Sequence, residues 1–318
     1  MKNLIKTFTV LFCASILSYS CASKEDETTM ETPKSIYELA AADSDLSSLK
    51  AAVDKAGLSA TLSGSGTFTV FAPSNAAFSQ FLTANGFASL NDVPNAVLKE
   101  VLLNHVLGSK VMASQVTTGY VSTLAKGSAS ATRNLSMFIN TASGVKINGV
   151  ANVTKTDIGA TNGVIHKVDA VIGLPTIVTH AAANPNFTSL VAALTRADQP
   201  NFVSILGGTA SSPFTVFAPT NTAFTNLLTE LNLPNLAAIP GATLTEVLKY
   251  HVVAGANVAS TGITDNMVVT TFQGGTFKLT TTGGVKIIDQ KARTSNVIAT
   301  DVQCSNGIIH VIDKVLLP

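Results

Sequence analysis

Thr69-Val-Phe-Ala-Pro-Ser-Asn-Ala-Ala-Phe78 recurs at Thr215-Val-Phe-Ala-Pro-Thr-Asn-Thr-Ala-Phe224, an offset of 146 residues. Three shorter segments follow the same order. Leu103-Asn-His-Val106 returns as Lys249-Tyr-His-Val252, Gly144-Val-Lys-Ile147 returns from Gly284, and Asn162-Gly-Val-Ile-His166 returns as Asn306-Gly-Ile-Ile-His310. The offsets run 146, 140 and 144, so insertions and deletions fall between the matched segments, where loops tolerate them. Ordered matches at a nearly fixed offset mean one structural unit used twice. The units are expected at 34–175 and 176–318, joined through Leu174-Pro175 with almost no linker, and therefore closely coupled.

Within each unit the spacing of apolar residues predicts helices first and strands last. Leu46, Leu49, Val53 and Leu58 share a helical face, with Ser44 or Asp45 able to cap its start and Gly57 able to end it; Phe187, Leu190, Val191 and Leu194 repeat the arrangement. Thr67 to Ala72 places Phe68 and Val70 on one side and Phe71 on the other, the pattern of a strand covered on both faces, and Pro73 ends it. Ser74 or Asn75 then caps a helix carrying Phe78, Phe81 and Leu82, and a further amphipathic helix runs near Asn95 to Val106. The closing third is rich in Thr, Val and Ile. Its Asn162-Gly163 and Asn306-Gly307 turns suit tight hairpins with positive φ at both central residues. This order is α+β rather than doubly wound α/β.

The repeated boxes, TVFAPSNAAF and NGVIHKVDAVIGLP with their second copies, resemble the two conserved boxes of the fasciclin domain, and Tyr250-His251 resembles the family's central Tyr-His pair. The first repeat departs from the pattern, with Asn104 in the Tyr position. The resemblance spans about residues 34–318 and implies two tandem fasciclin-like domains, each a β-wedge or sandwich flanked by several helices. It also implies adhesion: contact with a surface or matrix protein, or with polysaccharide. In some animal members the Tyr-His region is implicated in integrin binding, so the resemblance marks Tyr250 and His251 as possible partner-binding residues.

Residues 1–20 read as an export leader, with Lys2 and Lys6 before a short apolar run from Phe8 to Leu17 that is too short to span a bilayer. Ser18, Tyr19 and Ser20 then lead to Cys21, which resembles the lipid-modified cysteine of bacterial lipoproteins; the competing reading is ordinary cleavage nearby, after Ala22, with no lipid. Residues 21–33 are polar and acidic and read as a flexible tether. Lys24-Glu-Asp-Glu27 resembles the surface-export signal of some Bacteroidetes lipoproteins, and reads equally as a solvated linker. The expected location is the cell envelope, lipid-anchored at the outer membrane, with surface exposure open.

Composition narrows the chemistry. At 46% hydrophobic and 12% charged, the chain is globular, and removing the leader's Lys2 and Lys6 takes the net charge from +1 to −1. No dense Lys/Arg cluster exists to hold a polyphosphate backbone, so nucleic acid is not an expected partner. Cys13 leaves with the leader and Cys21 is the acylation site, so Cys304 is the single remaining thiol, expected as a small buried side chain where repeat one has Ala160. His105 and His166 match His251 and His310. With Asp169 and Asp313 they invite an acid/base or metal reading, against a plainer one in which each ring hydrogen-bonds locally to fix a helix against the closing strand. No third metal-type ligand stands at a telling spacing, and His180 has no counterpart and reads as incidental. The chain lacks G-x-S-x-G, H-E-x-x-H and P-loop motifs, and Gly64-Ser65-Gly66 reads as a turn. The expectation is a binding protein, not an enzyme, with no cofactor. Two alternatives stay open: a polysaccharide-binding module, although Trp is absent and Tyr scarce, and an envelope carrier of a small apolar ligand.

Overall fold

A computed structural model describes residues 33–318. The expected leader, Cys21 and nearly all of the expected tether lie outside the described residues. In the first repeat, helices α1 (Ile36–Ala42), α2 (Ser47–Lys55) and α3 (Ser59–Ser63) precede strand β1 (Phe68–Pro73), followed by helices α4 (Asn75–Ala84) and α5 (Asn95–Leu103). Strands β2 (Val106–Leu107), β3 (Gly119–Gly127), β4 (Ser130–Asn140), β5 (Lys146–Ile147), β6 (Ala151–Ala160) and β7 (Gly163–Val168) complete it. The second repeat runs in the same order: α6 (Ile177–Ala183), α7 (Thr188–Leu194), α8 (Phe202–Gly207), β8 (Phe214–Pro219), α9 (Asn221–Glu230) and α10 (Gly241–Tyr250). Its strands are β9 (Val252–Ala254), β10 (Met267–Thr270), β11 (Thr276–Thr280), β12 (Lys286–Ile288), β13 (Thr294–Cys304) and β14 (Gly307–Ile312).

Each repeat folds its strands into one seven-stranded sheet, in the order β2-β1-β7-β6-β5-β4-β3 and β10-β11-β12-β13-β14-β8-β9. The α+β expectation holds. The first strand runs parallel to the last, Phe68 opposite Gly163 and Phe214 opposite Gly307, while the remaining pairs are antiparallel. The long strands β6 and β13 carry the bend. Irregularities in their pairing with β7 and β14, with Asp157 and Asp301 at φ near 60°, curl the sheet into a wedge. Alternation along β1 feeds two cores: Val70 and Ala72 pack under the helices with Leu49, Val53, Phe78 and Leu98, while Phe71 lies inside the wedge with Met137, Ile139 and Ile147. The second repeat splits its core the same way.

The repeated boxes prove to be fastening devices. Ser74 and Thr220 cap α4 and α9, accepting from Ala77 N and Ala223 N at 3.2 Å. Asn75 does something the sequence reading did not foresee: its Oδ1 accepts from Ser48 N at 2.8 Å and its Nδ2 donates to Ser44 O at 2.9 Å, so it caps α2 from across the fold. Asn221 repeats this on Ser189 N and Pro185 O. Ser44 and Asp45 do not cap α2, which begins without a side-chain cap of its own, because Asn75 supplies the acceptor. Removing it in Asn75→Ala is expected to cost about 1–2 kcal/mol, the range for a lost helix cap, read as a lower urea midpoint at unchanged slope.

The Asn-Gly turns also differ from expectation. Thr161 and Asn162 form the turn; Asn162 is not among the positive-φ residues, and Gly163 already belongs to β7. Asn162 is selected for its amide, which accepts from Ile36 N at 2.9 Å and donates to Leu62 O and Gly64 O at 2.8 and 2.9 Å. Asn306 makes the equivalent bonds to Ile177 N, Leu206 O and Gly208 O. Gly163 is required by proximity, because a Cβ there would stand 2.0 Å from Phe68 O.

Candidate functional site

Tyr250, the last residue of α10, and His251 after it are buried, at 0% and 3% exposure. The Tyr250 ring sits in the wedge core edge-on to Phe277, which is edge-on to Phe217, and its hydroxyl donates to Thr276 O at 2.7 Å. Burial raises the phenol to about 12. His251 holds Val247 O at 2.7 Å through Nδ1 and accepts from Leu316 N at 2.9 Å through Nε2. These bonds fix the neutral Nδ1–H tautomer, and burial lowers the imidazole to about 4. The pair therefore locks α10 to the chain's closing segment, and neither side chain offers a surface for a partner in this conformation. Repeat one does the same with His105, which bonds Val101 O and Ile172 N, and with Asn104, whose Nδ2 donates to Ile172 O and Gly173 O in place of the phenol's reach to β11.

The second pair of histidines is tied with the opposite tautomer. His166 and His310 donate from Nε2 to Val111 O and Val258 O at 2.9 and 2.8 Å, and accept through Nδ1 from the bulge amides of Asp157 and Asp301. Each imidazole thus spends both nitrogens on backbone, pinning the bend of the wedge. Asp169 and Asp313 do not meet them; each carboxylate instead clasps the backbone and side-chain N–H of Asn152 or Asn296 at 2.7–2.8 Å. Among the described residues no group of three or more His, Cys, Asp or Glu is placed to hold a metal ion. Cys304 takes the place of Ala160, pairing with Gly307 as Ala160 pairs with Gly163, fully buried and with its thiol pushed up by burial.

The seam between the repeats carries residues whose role the sequence did not reveal. Backbone and hydroxyl of the β3–β4 hairpin meet the second repeat's turn: Ala129 N and Ser128 Oγ donate to Ser305 O, Gln303 N donates to Ser136 Oγ, and Arg133 reaches Asp301 and Thr261. At Gly127 an added Cβ would fall 2.6 Å from Ser305 Cα, so the approach needs glycine. Tyr120 packs onto the second repeat's helical core, bonds Asn184 and meets His180 edge-on at 5.3 Å. His180 is not incidental. It is fully buried at this seam, the Ser136 backbone lies beside it outside hydrogen-bond geometry, and burial lowers it to about 3.

Two concavities are of interest. Beneath α6, α7 and α8, a cavity of about 50 Å³ is lined almost wholly by apolar groups, including Phe187, Phe202 and Leu248. A wider groove of about 630 Å³ lies on the first repeat, between α4, α5 and the segment that leads into α6.

The fasciclin domain model matches residues 44–175 and 185–318. Protein sll1483 of Synechocystis is 38% identical over 155 residues, 45% of this chain and 73% of that protein. Transforming growth factor-beta-induced protein ig-h3 of rabbit is 30% identical over 81% of this chain, which spans only 35% of that protein's length. Among solved structures, the FAS1 domain pair of the insect cell adhesion molecule fasciclin I aligns with a TM-score of 0.47 at 22% identity, covering 84% of this chain and 92% of the pair. With the model matching most of each repeat, the chain belongs to the fasciclin domain family and carries two such domains in tandem.

Proposed function

We propose that this chain is a non-enzymatic adhesion or binding protein of the cell envelope, held by a lipid on Cys21 at the outer membrane and presenting its paired domains to a surface or matrix protein or to polysaccharide. The observation that carries this reading is where the chemistry of the boxes goes: the four repeat-matched histidines, Asp169, Asp313, Asn162 and Asn306 are all spent on internal hydrogen bonds. What remains for function is the surface, and the seam holds two such surfaces in one arrangement, which raises avidity for a repetitive partner. Fasciclin domains occur in cell-adhesion proteins, the insect pair being one. The leader-like start and the small residues before Cys21 support the envelope location.

Carriage of a small apolar molecule is the weaker reading, since a cavity of about 50 Å³ is too small for a pigment or haem. The test is binding of the chain from residue 22 onward to arrayed polysaccharides, matrix proteins and intact cells. Saturable binding to one class is expected; folded protein that binds none of them would overturn the adhesive reading.

A further inference from the structure

The face that the second repeat turns to the seam exists twice in the chain but is covered once. Val302, Gln303 and Cys304, at the end of β13, are 3%, 2% and 0% exposed where the β3–β4 hairpin lies on them. Ile158, Gly159 and Ala160 of β6 occupy the same positions against β7, and they are half-buried, exposed and half-buried. Counted from Ile36 and Ile177, whose amides donate to Asn162 and Asn306, Leu39 matches His180 and Asp43 matches Asn184. Tyr120 packs on His180 and takes a hydrogen bond from Asn184 at 3.2 Å. Where its ring sits on the second repeat, the first has a hollow of about 370 Å³ lined by Leu39, Ala42, Asp43, Lys155 and Ile158.

The bare face keeps the means to hold such a hairpin. Arg133 of the hairpin pairs with Asp301 at 3.5 Å; Asp157, at the same bulge of the first repeat and with the same φ near 60°, is exposed. Ser305 receives the hairpin tip on its carbonyl, and Thr161, at that turn position in the first repeat, is exposed. Leu39 in place of His180 replaces a buried ring that has no hydrogen-bond partner with plain apolar surface, which suits an aromatic occupant. Asp43 accepts from Lys167 at 2.7 Å, and a carboxylate has lone pairs for a phenol as well. Lys155, where the second repeat has Ala299, sets a cation beside the hollow, where it can lie on a ring face. This chain does not supply the hairpin itself. Its β3–β4 hairpin is engaged by its own second repeat, and the β10–β11 connection has only five residues, Thr271 to Gly275, where the first repeat has thirteen, Thr123 to Leu135. Val268, 62% exposed, stands in the place of Tyr120.

We infer that this first-repeat face docks the long β-hairpin of another fasciclin domain, one carried by a different protein and bearing an aromatic residue at the Tyr120 position and a cation at the Arg133 position. The inference rests on the adhesive reading and names its partner class. The first test gives the chain from residue 22 onward a free hairpin: residues 271–275 are replaced by the sequence of 123–135, and Val268→Tyr is added. Such a chain carries the hairpin on one repeat and the open face on the other, a head-to-tail contact. Expected is concentration-dependent assembly in sedimentation velocity, absent from the parent and weakened tenfold or more by Ala42→Arg, an exposed position beside the hollow. Urea midpoints check both folds. The second test needs no graft. A cyclic peptide of residues 118–141, closed between Thr118 and Thr141, whose hydroxyls meet at 2.8 Å, is titrated calorimetrically into the parent and the Ala42→Arg chain. Val121→Thr, Met137→Thr and Ile139→Thr remove the side chains that face the wedge core. Saturable binding is expected, again weakened tenfold or more by Ala42→Arg. Docking that Ala42→Arg leaves undiminished would overturn the face as the site. A peptide that does not bind, beside a graft that stays monomeric or does not fold, would overturn the hairpin class; cells or matrix protein still bound would then leave the adhesive reading standing. Binding of nothing would overturn both.

Discussion

Tyr250→Ala should unfold the second domain at markedly lower urea, with a loss of about 3–5 kcal/mol, the range for emptying a fully buried aromatic site. The ring is completely buried and stands in a T-shaped chain with Phe277 and Phe217, so its removal leaves a void that β11 cannot fill without leaving β12. Tyr250→Phe separates the two contributions. It keeps the ring and removes only the donor to Thr276 O, so it should cost about 1 kcal/mol. The same pair of variants decides whether this residue contacts a partner. If it acts only as core, Tyr250→Phe binds cells or matrix protein as the parent does, and Tyr250→Ala loses binding only in urea or at temperatures where it is unfolded. A folded Tyr250→Phe protein with binding abolished would mean that the phenol reaches a ligand, and would refute its placement as purely internal. The first repeat supplies a control, since Asn104 occupies the matching position and holds Ile172 and Gly173 rather than a strand.

The α+β architecture, the order of helices and strands and the double-faced strand β1 were legible because each is written as local periodicity. Val70 and Phe71 face opposite cores because successive strand residues must. What escaped is the use of polar side chains over long separations. Asn75 could be placed at a helix start, but nothing near it in sequence says that it serves α2 rather than α4. Asn162-Gly163 carried the signature of a positive-φ hairpin, yet the asparagine was chosen for three backbone bonds up to 126 residues away and the glycine for room beside Phe68. Tyr250 and His251 are marked as possible partner-binding residues by resemblance alone, whereas the apolar spacing around Leu244, Val247 and Leu248 puts the end of that helix against the core. The seam was invisible for a different reason: Gly127, Tyr120 and His180 have no repeated counterpart whose persistence could have marked them. The bare face of the first repeat is legible only by comparing the folded repeats, since Ile158 and Val302 are alike in sequence and a hairpin covers only one of them.

Acid should destabilise this protein well above the carboxylate range, because burial holds four of its histidines, His105, His180, His251 and His310, neutral. Burial lowers His105 and His251 to about 4 and His180 to about 3, and lowers His310 as well. In the unfolded chain each returns to about 6.5, so between 6.5 and the folded value the unfolded state binds more protons and stability falls with falling pH. Each histidine in that window removes about 1.4 kcal/mol per pH unit, so His105 and His251 each cost about 3 kcal/mol by pH 4, and His180 about the same there with more to follow toward pH 3. Set against the 5–15 kcal/mol typical of a whole domain, the loss of about 6 kcal/mol by pH 4 at His180 and His251 is enough to unfold a second domain of ordinary stability, whereas the first domain loses about 3 kcal/mol through His105. The environment of His251 does not reverse the sign: Asp289 favours the charged ring, but Arg293 opposes it and burial dominates both. The carboxylates that are lowered in the fold, among them Asp43 and Glu38, add their loss only as pH falls through the ordinary carboxylate range near 4, so the interval from 6.5 to 4.5 isolates the imidazoles. Urea midpoints at half-unit steps across that interval should decline steadily. The second domain, which contains His180, His251 and His310, should melt before the first. Midpoints flat from pH 7 to 5 would mean that the rings charge as readily folded as unfolded, and would contradict the burial of all of them and the backbone bonds of His105, His251 and His310.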